Sequence, residues 1–125
     1  MKNNKPKIIF IKPSNSSFIC LDEEILGKSY NVIPYLVKLK KEKIRFFLEI
    51  IGLLFFLLFK TRKSKLFFTW FADYHAAIMV FVAKLLNKKS IIFIGGQEAI
   101  CYKELKKGVY LKKGRGKLVK YALRN

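Results

Sequence analysis

The chain is short of acid, histidine, cysteine and arginine, and each shortage removes a class of function. Eight acidic residues stand against 26 lysines and arginines, a formal charge of +18. His75 is the only histidine, and Cys20 and Cys101 stand apart, with no CxxC and no Cys/His cluster. No metal site or disulfide framework is therefore expected, and both thiols read as buried and reduced. GxGxxG is absent, which disfavours dinucleotide binding, and no Walker sequence, metal triad or nucleophile elbow occurs. The arginines are Arg45, Arg62, Arg115 and Arg124 alone, so lysine carries nearly all the positive charge. Arginine-led reading of bases or phosphates is not expected, and no nucleic-acid recognition motif is present. The opening MKNNKPKIIFIKPSN holds an apolar run too short for a secretion signal, so a cytoplasmic location is expected. What such a charge does favour is an anionic surface, nucleic acid or membrane, although a chain rich in Ile, Phe and Asn also fits a genome-wide compositional bias.

What is present is a core. About half of the 125 residues are apolar (52%), enough for one small domain. Ser64–Gln97 carries most of the information. Leu66–Phe71 is a short apolar and aromatic run suited to a strand, and Asp73 is a candidate helix N-cap. Tyr74–Leu86 is apolar nearly all round, as a helix packed on a sheet should be. Ser90–Ile94 is a second β-branched run, ending at Gly95-Gly96. Upstream, Lys7–Lys12 reads as a first strand closed by Pro13 and the loop Ser14-Asn15-Ser16-Ser17. Phe18–Lys28 spaces Phe18, Ile19, Leu21, Ile25 and Leu26 as one apolar helix face. Ser16 or Ser17 would cap it, Asp22-Glu23-Glu24 would sit in its dipole-favoured first half, and Gly27 would help to stop it.

The next strand, Val32–Val37, contains Pro34, which cannot donate to a ladder and so belongs at a sheet edge. That constraint selects the order 2-1-3-4. The expected fold class is α/β, a Rossmann-like three-layer sandwich with a mostly parallel sheet, incomplete at its C-terminal edge. Strand 1 then lies beside strand 3 with helices on opposite faces. A ligand crevice is expected among Pro13–Ser17, Trp70–His75 and Gly95–Glu98. Ile44–Phe59 is the most hydrophobic segment, too short to span a bilayer and basic on both flanks. It is expected as a buried crossover helix, with an interfacial helix as the alternative. Gln97–Gly116 reads as a surface excursion and Lys117–Arg124 as a final helix. Strand 4 would be left as an open apolar edge, so the chain reads as unfinished.

At the crevice, His75 at a helix N-terminus would reach a sugar hydroxyl or an anion, with its neutral form favoured. Asp73 reads first as a cap, and Trp70 offers a ring to stack on a sugar face. Gly95 and Gly96 permit close backbone approach, and Ser14, Asn15, Ser16 and Ser17 supply hydroxyl and amide groups. With these residues in view, KIIFIKPSNSSFI, KLFFTWFADYHAAIMVFVAKLLNKKSIIFIGGQEAICY and GVYLKKGRGKLVKYALRN together resemble the N-terminal domain of GT-B glycosyltransferases of the retaining "group 1" type. The order WFADYH, helix, strand, GG is the specific part.

The resemblance implies that residues 1–125 form the acceptor-side Rossmann-like half of such an enzyme, the donor-binding half lying beyond them. It implies transfer of a hexose from a nucleotide-sugar to a hydroxyl of a glycan or lipid-linked acceptor, without metal or other cofactor. The fragment alone would be inactive. The implied cleft residues are Pro13–Ser17, Trp70, Asp73 and His75, then Gly95, Gly96, Gln97 and Glu98. Many relatives carry a glycine-rich loop after strand 1, where this chain has Pro13-Ser14-Asn15-Ser16-Ser17. The competing expectation is a small basic binding protein held at an anionic membrane, the inner face of the cell membrane, by Ile44–Phe59.

Overall fold

The chain is built around one strand, Lys7–Lys12 (β1), whose Ile8, Ile9, Phe10 and Ile11 are at most 1% exposed. A computed structural model describes residues 4–38, 42–95 and 113–125. After β1 come α1 (Ser17–Ser29), β2 (Asn31–Leu36), α2 (Lys43–Phe59), β3 (Ser64–Trp70), α3 (Tyr74–Leu85), β4 (Lys89–Phe93) and α4 (Lys113–Arg124). The four strands form one sheet in the order β2-β1-β3-β4, and every pairing is parallel. This is the expected α/β, Rossmann-like arrangement. Pro34 lies opposite Phe10 on the edge strand β2, where its missing N–H costs the ladder nothing.

Side chains alternate across a strand, so the sheet has two cores. Phe10 and Phe68 face α1 and meet Ile19, while Ile9, Ile11 and Phe67 face Leu53 and Leu57 of α2 and Met79, Val80 and Val82 of α3. Each such buried side chain contributes roughly 1.5–3 kcal/mol. α4 lies beside α3, where Ala76 and Ala77 meet Ala122, small residues that let two helices approach closely.

Several local expectations are corrected. α1 buries only Ile19 fully, and Phe18, Leu21 and Ile25 are 45%, 55% and 51% exposed. Polar contacts do much of the holding: Lys12 Nζ lies 2.5 Å from Glu23, Trp70 Nε1 donates to Asp22 at 2.8 Å, and Lys5 Nζ donates to the Gly27 carbonyl at 3.0 Å. The Glu23 hydrogen bond raises the Lys12 pKa against the opposing effect of burial. Asp22 and Glu23 do fall in the first half of α1, though past its first turn, and the helix runs through Gly27 to Ser29. Cys20 is free but exposed, not buried, since it sits on the solvent side of α1; Cys101 lies outside the described residues. α2 does dock as a crossover helix, yet only Leu53 and Leu57 are fully buried. α4 starts four residues earlier than expected, because Arg115 anchors its first turn.

Candidate functional site

Neighbouring strands β1 and β3 send their chains to opposite faces, α1 to one and α3 to the other. Their carboxyl ends therefore part, and this is where an open parallel sheet takes a ligand. On the β1 side, Ser14 and Ser16 pair through their hydroxyls at 2.7 Å. Ser16 occupies the N-cap of α1, but its side chain makes no capping bond because Ser14 holds it. Asn15 and Ser17 are exposed, and Ser14 and Ser16 partly so. The loop thus presents a row of small polar groups at a helix start.

On the β3 side, Trp70 ends the strand half-buried in an aromatic cluster. Its ring centroid lies 5.2 Å from Phe18, 5.1 Å from Phe93 and 5.7 Å from Phe71. Phe71 then turns the chain with φ 63°, a left-handed conformation that a bulky residue adopts only when its surroundings demand it. Two contacts hold it there. The Phe71 N–H donates to the Phe93 carbonyl at 2.8 Å, and its ring fills the space over Gly95, where a Cβ would come within 2.1 Å of Cε1. Glycine at 95 is thus required by an aromatic ring of the same chain. Gly96, Gln97 and Glu98 lie outside the described residues.

Asp73 caps α3, with Oδ1 accepting from the Tyr74 N–H at 2.8 Å. The same carboxylate receives Arg115, whose Nε lies 2.7 Å from Oδ1 and 2.9 Å from Oδ2, with Nη2 also on Oδ2. This two-pronged pairing fixes α4 to the start of α3. Burial pushes the Asp73 carboxyl upward, but the Arg115 hydrogen bonds, the Tyr74 N–H and the Arg115 charge outweigh it, and the net pKa is lowered. His75 is 3% exposed, and its Nε2 lies 3.0 Å from the Trp70 carbonyl. A carbonyl only accepts, so Nε2 carries the proton. Burial lowers the His75 pKa, against its hydrogen bonds to the backbone of Trp70 and Phe71 and the Asp73 charge, and keeps the ring neutral. Next to it, the Tyr74 phenol is pushed up to about 12, first by burial and then by the charges of Asp73 and Glu49. Its hydroxyl is buried and has no partner among the described residues.

The fold therefore brings Ser14–Ser17, Trp70, Asp73, His75 and Gly95 to one end of the sheet. Asn15 and Ser17 are open to solvent, the Trp70 ring is half-buried among Phe18, Phe71 and Phe93, and Asp73 and His75 are occupied in holding the elbow. Sequence reasoning missed Arg115, Asp22 and Phe18. Arg115 stands between Gly114 and Gly116, which read as loop; its being one of four arginines was the available signal. Phe18 and Asp22 looked like ordinary α1 residues, and only the crossing of α1 over β3 joins them to Trp70. A separate open groove of about 590 Å³ lies between α1 and β2, lined by Lys5, Cys20, Glu23 and Tyr30 among others, and shares none of the expected residues. No cluster among the described residues has the ligands for a metal ion. No helix among them is long and apolar enough to cross a membrane.

The fold defines an α/β chain with a parallel sheet in the order β2-β1-β3-β4, whose topological switch point lies between β1 and β3. Compared with known proteins, the chain matches no family model, no curated protein and no solved structure.

Proposed function

We propose that the chain is the acceptor-side half of a retaining glycosyltransferase of the GT-B type. The observation behind this reading is the side-by-side placement of Ser14–Ser17 and the Trp70–His75 elbow at the switch point. Sugars present hydroxyls around an apolar ring face. The serine hydroxyls and the Asn15 amide offer donors and acceptors to the first, and Trp70 with Phe18 offers ring surface to the second. Asp73, Arg115 and His75 act as positioning residues. They hold Trp70 and the left-handed turn at Phe71 in place, so that the ring is presented in one orientation.

In the complete reaction, the bond from the anomeric carbon to the diphosphate oxygen breaks and a bond to the acceptor oxygen forms. The acceptor proton passes to the departing diphosphate. The transition state is oxocarbenium-like, and stabilising the leaving diphosphate falls to the donor-binding half. The residues described here orient the acceptor and exclude water, and none is assigned as a base.

Trp70 is the only tryptophan, so its fluorescence reports directly on the crevice. Titration with glycan acceptors should shift or quench it, and Ser14→Ala/Ser16→Ala should weaken that response about tenfold, the loss of one or two hydrogen bonds. A nucleotide-sugar alone should leave it unchanged. If no saccharide perturbs Trp70 while a free nucleotide or dinucleotide does, the reading is wrong.

A further inference from the structure

α2 has two apolar faces, and the protein covers one of them. Leu53 and Leu57 are fully buried, and Phe46, Ile50 and Leu54 pack partly against the same core. On the opposite side, Ile44 is 77% exposed, Phe47 62%, Leu48 60%, Phe55 54% and Phe59 66%. At the helical period these five, with the half-buried Ile51, fall within an arc of roughly 120° running the whole length of the helix. A surface helix of a water-soluble protein carries polar residues there. Phe81 and Leu85 of α3, 53% and 64% exposed, add two more large apolar side chains to the outside of the same helical layer.

Charge identifies what covers this stripe. Lys38, Lys43 and Arg45 stand exposed at its start, and Lys60, Arg62, Lys63 and Lys65 at its end. The acids nearby are already engaged: Glu42 pairs with Arg45, and Glu49 accepts from the Lys38 N–H and bonds Tyr35. A second copy of the chain is disfavoured, since two stripes packed in either direction would bring basic clusters together at both ends. The other exposed apolar row, Phe18, Leu21 and Ile25 on α1, sits among Asp22, Glu23 and Glu24 and has the wrong charge for an anionic surface. α2 at about 26 Å is too short to cross a bilayer upright, but it suits the plane of an interface.

We propose that the outer face of α2 docks the protein on an anionic lipid bilayer, with the helix lying in the headgroup layer and its basic ends on lipid phosphates. The proposal does not depend on the glycosyltransferase reading. Co-sedimentation of the full chain with phosphatidylcholine vesicles, with and without phosphatidylglycerol, tests it at low and high salt. Wild type should bind the mixed vesicles, and more weakly at high salt. Phe47→Ser/Phe55→Ser/Phe59→Ser should lower partitioning by about tenfold or more, with unchanged circular dichroism. Leu21→Ser/Ile25→Ser should bind as wild type does. A second measurement needs no deletion: Phe55→Trp should gain emission that brominated lipid quenches, and Leu21→Trp should not. Failure of wild type to bind at low salt, equal quenching at both positions, or a stable dimer that vesicles do not dissociate would overturn the proposal.

Discussion

α2 and α3 lie side by side on one face of the sheet, and the more hydrophobic of the two is the less buried. α3 buries eight of its twelve residues, α2 only two of seventeen. The difference lies in neighbours. α3 has the sheet beneath it, α2 on one flank and α4 on the other, and its Ala76, Ala77 and Ala83 let them come close. α2 has α3 on one flank only, and its large Phe and Leu side chains turn outward on the other side. Hydrophobicity reports that a segment leaves water; it does not say whether protein or lipid receives it.

The sharpest way to break that comparison is to truncate both faces of α2. Leu57→Ala should cost about 2–5 kcal/mol, as large-to-small changes in a packed core do, and Phe55→Ala should stay within about 0.5 kcal/mol. Equal losses in urea denaturation would mean that protein covers the outer stripe after all. A smaller effect separates the helix starts. Asp73→Ala removes the cap of α3 and the Arg115 anchor and should cost about 1–2 kcal/mol. Ser16→Ala at the start of α1 should stay within about 0.5 kcal/mol, because Ser16 makes no capping bond. A large loss at Ser16 would show that its hydroxyl does more than pair with Ser14.

The smallest effect is a pH dependence. His75 is neutral in the folded state, with its pKa lowered by burial. Below pH of about 6.5 the unfolded chain binds a proton there that the folded chain does not. Stability should therefore fall as pH drops below that point towards the lowered folded pKa, by at most about 1.4 kcal/mol per pH unit. His75→Gln should flatten this slope. Asp73 acts in a separate window: its lowered folded pKa gives stability present above pH of about 4 and lost below it. Because His75 is the only histidine, a single ring resonance settles the sign, and an apparent pKa above the ordinary imidazole value would contradict the burial described.

The place of the candidate residues in the fold was legible because they sit at the ends of strongly patterned elements. The serine loop after Lys12 and the elbow after Trp70 follow from where the apolar runs stop. Their meeting followed from one proline, which sent β2 to the edge and left β1 beside β3. The capping role of Asp73 was legible, but its pairing with Arg115 and the direction in which His75 points were not. A residue two positions into a helix can face ligand or core equally well, and Arg115, 42 residues further on, claims the Asp73 carboxylate.

By itself, the sequence determined the alternation of strands and helices, the parallel sheet and its order, since periodicity, proline and glycine act locally and the crossover rule has one hand. The tertiary structure alone decided which apolar faces are covered. That depends on which neighbours each helix has and how large their contact residues are. It also decided that Gly95 makes room for Phe71, and that α2 keeps one of its two apolar faces in solvent.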